Sequence, residues 1–152
     1  MWGTFGTGDG QFFGHEGIAV DSNGDNHVTD VGHNRVQKFT RTGNFIRKWG
    51  SQCSDNDQFM IPHGIATFAV DTLLVADSAN DRIQEFLNDG AFITKWGSQG
   101  TRESEFNSPI DVGINRGNNM HYISDHQNYR IQMFHWDPGV VINPFPDLAL
   151  PD

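Results

Sequence analysis

One cysteine, Cys53, is all that the chain holds, so no intrachain disulfide staples it and the redox compartment stays open. Basic residues are also scarce: Lys and Arg total 10 against 19 Asp and Glu, a formal charge of -9. These cations are scattered singly, whereas counterion release on a phosphate backbone needs them clustered. Nucleic acid is therefore not expected as a partner. No apolar run is long enough to span a bilayer, and Met1-Trp-Gly-Thr-Phe-Gly has neither the basic start nor the apolar centre of a signal peptide. A membrane partner is not expected, and the default expectation is a soluble, cytoplasmic chain. Charged residues make up only 19%, and no segment carries a helical period over a useful length, while 17 Gly and 12 Phe suit turns and aromatic packing.

What the chain does have is a repeat. Asp77-Ser-Ala-Asn-Asp-Arg82-Ile-Gln-Glu-Phe86, followed by Asn88-Asp-Gly90 and Ala91-Phe-Ile-Thr-Lys-Trp96-Gly97, has an earlier copy in Asp30-Val-Gly-His-Asn-Arg35-Val-Gln-Lys-Phe39 with Thr42-Gly43 and Asn44-Phe-Ile-Arg-Lys-Trp49-Gly50. A later copy reads Asp125-His-Gln-Asn-Tyr-Arg130-Ile-Gln-Met-Phe134. The step is 47 residues from Asp30 to Asp77 and 48 from Asp77 to Asp125, and Trp2, Trp49 and Trp96 keep a step of 47. Periods of this size mark solenoids and propellers.

Each period divides into four short strand-like segments separated by turn residues, an antiparallel meander. The repeats run over about 15–50, 62–97 and 109–145, with a tail at 146–152, in one region covering 1–152. In the third repeat Val140-Val-Ile142 is the candidate last strand, and Phe145 falls where Trp49 and Trp96 fall, but Pro144 and Pro146 would end ladder pairing there. Apolar residues occupy both faces of a strand, as with Val36 and Phe39 or Ile83 and Phe86, so each small sheet needs cover on both sides. Sheets packed face to face around an axis meet that need, and the fold class expected is all-β, a β-propeller of four-stranded blades.

The pattern Gly-Ile-Ala-Val-Asp, then Val-Ala-Asp-Ser-x-Asn-x-Arg-Ile-Gln-x-Phe, then Gly-x-Phe-x-x-x-Trp-Gly resembles the NHL-repeat propellers, and the likeness runs from Trp2 to Phe134. The resemblance implies a ring of six blades, of which three NHL-type repeats would be half, used as a binding platform in many members and as an enzyme scaffold in a few. Such a ring needs about 280 residues at this period. Two routes would complete it: a second copy of the chain, as a homodimer, or the remainder of a longer chain.

Strand ends alternate in a meander, so the connection entering each repeat shares a face with the loop between its second and third strands. That face gathers residues 3–16, 50–63 and 97–109 with the short loops 31–34, 78–81 and 126–129. Residues there that vary among repeats are the candidate contacts: Glu16, His63, Asp81, His126 and Tyr129. By contrast, the pairs Asp30 with Arg35, Asp77 with Arg82, and Asp125 with Arg130 recur, and three catalytic pairs in one small chain are implausible. They read as charge-assisted bonds fastening each hairpin. Trp49 and Trp96 read as blade-packing residues.

Other chemistry finds little support. Gly3-Thr-Phe-Gly-Thr-Gly-Asp-Gly10 imitates a phosphate loop, but no helix pattern follows it and the same slot in the later repeats has lost most of its glycines. Asp21-Ser-Asn-Gly-Asp25 imitates the start of a calcium loop without the closing carboxylate, since Gly32 stands there. His63, in Pro62-His63-Gly64, resembles the zinc-binding channel histidine of the amidating-lyase branch, yet the matching slots hold Glu16 and Ile110, and catalytic zinc needs three protein ligands. No Ser/His/Asp arrangement, nucleophile elbow or close carboxylate pair is identifiable. The expectation is a noncatalytic module binding a protein or small ligand, with no cofactor, no metal and no catalytic residues. The alternatives are a piece of a propeller enzyme resembling peptidyl-hydroxyglycine amidating lyase, which uses zinc, or a piece of an NHL-containing ubiquitin ligase or RNA-binding protein. The latter would need a RING-type Cys/His cluster or a basic face, and neither is present.

Overall fold

The computed structural model describes residues 1–68 and 72–136. Two short strands, β1 (Thr4–Phe5) and β2 (Gln11–Phe12), pair in parallel within the connection that enters the first blade. Blade 1 follows as β3 (His15–Val20), β4 (Asn26–Asp30), β5 (Arg35–Phe39) and β6 (Phe45–Trp49). Blade 2 is β7 (Pro62–Phe68), β8 (Thr72–Asp77), β9 (Arg82–Leu87) and β10 (Phe92–Trp96), and β11 (Pro109–Asn115), β12 (Met120–Asp125) and β13 (Arg130–His135) form blade 3. Every blade is an antiparallel meander in sequence order. The expected last strand of blade 3, Phe145 and the tail lie outside the described residues.

The strands bury both faces because the blades stack. Ala19 and Val36 of blade 1 share a core with Phe59, Ile65, Leu73, Val75 and Phe86 of blade 2, closed at its rim by Trp49. One repeat later, Leu74, Ala76 and Ile83 of blade 2 meet Phe106, Val112, Ile123 and Phe134, with Trp96 at the rim. Each fully buried Phe in these layers contributes roughly 2 to 3 kcal/mol of transfer free energy. A third cluster, Phe12, Val28 and Phe39, lies on the face of blade 1 turned away from blade 2.

The innermost strands carry a bulge: His15 pairs Asp30 and Ile18 pairs Val28, so β3 uses one residue more than β4 over the same stretch, and β7 repeats this between Pro62 and Ile65. An extra residue in one strand turns the chain locally and re-aims its side chains. Glu16 and His63 occupy these bulges, at the start of the first strand of their blades. Backbones of successive blades approach closely here, since a Cβ at Gly17 would stand 2.6 Å from the His63 carbonyl oxygen and one at Gly64 2.6 Å from the Asp111 Cα.

Trp49 is half-buried against the first interblade core, 6.0 Å from the Phe86 ring. Trp49→Ala should therefore cost about 3 kcal/mol, the low end for truncating a large aromatic. The denaturant midpoint with an unchanged m-value measures it; a shift near zero would remove Trp49 from the packing.

Candidate functional site

The face that carries the connections is held by one device used three times. Asp30 Oδ2 accepts from Arg35 Nε at 2.8 Å, Asp77 Oδ2 from Arg82 Nε at 2.7 Å, and Asp125 Oδ2 from Arg130 Nε at 2.8 Å. The pairs fasten the hairpins as the sequence suggests. The remaining guanidinium donors then reach the connection entering the same blade: Arg82 Nη1 donates to the Ser54 carbonyl, and Nη2 to those of Asp55 and Gln58. Arg35 does the same with Thr7, Gly8 and Gln11, and Arg130 with Thr101, Arg102 and Glu105. Gln37, Gln84 and Gln132 donate to the last carbonyl of each set, and the other aspartate oxygen accepts the N–H of Phe13, Met60 or Asn107. The planar fork of arginine satisfies several carbonyls at once, which lysine cannot do. Long loops without regular structure are thereby fixed in place.

Between each aspartate and arginine the chain makes one short 3-10 turn ending in a left-handed residue: Asn34, Asp81 and Tyr129, with φ of 52°, 52° and 54°. Asn34 Oδ1 accepts from the Ile61 N–H and Asp81 Oδ1 from the Ser108 N–H, both at 2.8 Å. Asp81 thus ties blade 2 to the connection of blade 3. Tyr129, in the same position on blade 3, is 92% exposed, and His126 beside it is exposed too. Where the first strands of blades 1 and 2 begin, His63 Nδ1 lies 3.6 Å from Glu16 Oε2. Glu16 and His63 are brought together, while Asp81 sits on the loop of blade 2 and His126 and Tyr129 on that of blade 3. Among the described residues no three His, Cys, Asp or Glu side chains gather as they would around a metal ion.

The same face also carries an exposed aromatic pair that is not among the candidates named from the sequence. Phe5 and Phe13 stand edge to face with centroids 5.6 Å apart, and Phe13 lies 5.9 Å from the His33 ring. Their signal was present, because Phe5 stands where the later repeats have Gln52 and Gln99, and Phe13 where they have Met60 and Asn107.

On the opposite face Asp21 takes up its carboxylate inside the protein. Its Oδ1 accepts from the Asn23 and Asp25 N–H groups, and its Oδ2 lies 3.0 Å from His27 Nε2 and 2.9 Å from Lys38 Nζ. Burial pushes the Asp21 carboxyl up, but the bonds from His27 and Lys38 outweigh it and hold the group at about 2. Lys38 also donates to the Asn88 carbonyl of blade 2, so this network joins two blades.

Stacked antiparallel meanders with loops latched on one face define the fold as that of β-propeller blades. No family model matches the chain, and no curated protein does. Among solved structures it is similar to a streptogramin B lyase, at 20% identity and a TM-score of 0.60 over 88% of this chain and 40% of that one. It is similar also to a gluconolactonase from Xanthomonas campestris, at 16% identity and a TM-score of 0.59 over 92% of this chain and 50% of the other. A nidogen/laminin complex matches at 17% identity and a TM-score of 0.58 over 79% and 43%. The chain spans half or less of the length of these proteins, and at such identities the likeness shows the fold alone.

Proposed function

We propose that the chain is a noncatalytic binding module of NHL-type blades, which engages a protein or small ligand through the face carrying its connections. One observation supports this reading. The polar side chains that recur from blade to blade are engaged in holding the scaffold, whereas exposed residues that change from blade to blade, Phe5, Phe13, Glu16, His126 and Tyr129, collect on that face together with His63. Exposed aromatics beside charged groups on rigidly held loops are what a binding surface offers. Asp81 belongs to the same face, but its bond to Ser108 makes it a poor probe, since its loss would disturb the loop.

Panning the immobilised chain against displayed random peptides tests the reading. Binders should lose at least tenfold in affinity with Phe13→Ser plus Tyr129→Ser, while stability moves by no more than about 0.5 kcal/mol, as expected for exposed positions. Undiminished binding would place the site elsewhere.

The approach of His63 to Glu16 favours one other reading, a piece of a propeller enzyme whose zinc ligands are completed by residues beyond this chain. Zinc in the purified protein and turnover of a peptidyl-hydroxyglycine would support that reading instead.

A further inference from the structure

A groove of about 530 Å3 lies on the face of blade 1 turned away from blade 2 and is lined by residues that include Trp2, Phe12, Ile18 and Val28. These residues, with Phe39, stand 47 positions before Trp49, Phe59, Ile65, Val75 and Phe86, the receiving half of the core between blades 1 and 2. The groove therefore has the composition of an interblade socket. At the two internal junctions the preceding blade fills that socket with a β-branched residue of its third strand and a small residue of its first: Val36 with Ala19, then Ile83 with Ala66. The corresponding residues of blade 3 are Ile131 and Gly113. Ile131 is 62% exposed and Ile18, in the socket, 59%.

We propose that the open face of blade 1 receives the outward face of blade 3 of a second copy, in the register of the internal junctions. The hydroxyl register fits as well: Thr29 donates to the His63 carbonyl at 2.7 Å across the first junction, and Ser124, in the place of Thr29, faces the Glu16 carbonyl of the second copy. Three blades sweep half of a six-bladed ring, a count that rests on the NHL-type reading, so two such contacts close with twofold symmetry instead of growing a filament.

Two residues weaken the contact. Gly17 and Gly64 have no Cβ because one would stand 2.6 Å and 2.9 Å from the carbonyl oxygens of His63 and Ile110, yet blade 3 has Asp111 there. Tyr129 likewise lacks the short acceptor with which Asn34 and Asp81 bind the next connection, so the Gly14 N–H of the second copy goes without that bond. The dimer is accordingly a weak one that two substitutions repair.

Sedimentation of the full chain over a concentration series tests this. A reversible species at twice 17.0 kDa is expected. Asp111→Gly with Tyr129→Asn should tighten it by about tenfold, as removal of a clash and gain of one hydrogen bond imply. Ile131→Lys and Ile18→Asp should each weaken it about a hundredfold by burying an unpaired charge, without unfolding the monomer, since both positions are exposed in it. Mixing the two single variants should restore one dimer, in which one junction pairs the introduced lysine with the introduced aspartate and the other junction is unaltered. A monomer at every concentration in the repaired variant, species larger than a dimer, or a dimer indifferent to Ile131→Lys would each overturn the proposal. Ile131→Lys and Ile18→Asp lie off the loop face and are read by mass alone, so failure of this contact is told apart from failure of peptide binding through those two variants.

Discussion

Arg82→Ala should lower the unfolding free energy by on the order of 3 to 5 kcal/mol, the range for removing one partner of a buried ion pair. The side chain is 6% exposed and its aspartate fully buried, and the guanidinium makes four hydrogen bonds, one to Asp77 and three to carbonyls of the entering connection. Alanine would leave a buried carboxylate without its cation and the Ser54 and Asp55 carbonyls without this donor, while Gln84 still serves that of Gln58. Arg82→Lys should recover only part of the loss, because a single ammonium cannot span the set. Arg130→Ala should cost less: its side chain is 30% exposed, and water replaces part of what is lost.

The pH dependence gives this prediction a second arm. Burial already pushes the Asp77 carboxyl up from its ordinary value, against the bonds from Met60, Asn80 and Arg82. A carboxyl raised in the folded state takes up a proton on folding in the interval between its unfolded and folded values, so acidification favours the native state at this group. Removing Arg82 raises it further, and the deficit of Arg82→Ala should shrink as the pH falls from 7 toward 4. Urea melts at the two pH values measure it. A deficit that stays constant would show that Asp77 keeps its charge through other donors.

How far the sequence reached follows from the same residues. The period, the meander and the Asp–Arg pairs were legible because each is a pattern of side chains repeated at fixed spacing, and strand ends such as Met120 and Asp125 fell where turn residues put them. The carbonyls that the guanidinium holds were not, since every residue has a carbonyl and acceptors carry no mark in a sequence. Arg-x-Gln recurring at Arg35, Arg82 and Arg130 was the trace available, and Gln37, Gln84 and Gln132 complete the latch. Of the candidate site, the sharing of one face came from strand alternation alone. That Asp81 accepts a bond from Ser108, while Tyr129 makes nothing comparable among the described residues, came only from the blades being stacked, because it depends on which element follows. Nothing in the sequence marks His27 or His121 as buried; His121 packs on Phe68 of blade 2, while His27 lies against Asp21 and Trp49 of its own blade.

His121→Leu should stabilise the protein. His121 takes the position of Leu73 in blade 2, both are fully buried, and neither ring nitrogen of His121 has a hydrogen-bond partner among the described residues. Its ring stands edge-on to Phe68 with centroids 4.8 Å apart, a contact an aliphatic side chain of similar size can fill. Leaving a buried donor and acceptor unmade costs about 1 to 3 kcal/mol, and leucine removes both, so a gain of that order is expected at pH 7. Burial, with His135 adding to it, pushes the His121 pKa down from 6.5 to about 4. Between those values the unfolded chain binds a proton that the native state refuses, so stability is full above 6.5 and falls as the pH drops toward 4. At pH 5 the interval already crossed is about 1.5 units, which at roughly 1.36 kcal/mol each is about 2 kcal/mol. The advantage of His121→Leu should therefore be larger at pH 5 than at pH 7 by roughly that amount. His27, whose pKa burial also lowers, loses stability in the same direction in both proteins and cancels in the difference. Thermal melts of the pair at both pH values decide the matter: an advantage of the same size at pH 5 and pH 7 would mean that the native state lets a proton reach His121, and a variant less stable at pH 7 would mean that the imidazole has a bonding partner in solution.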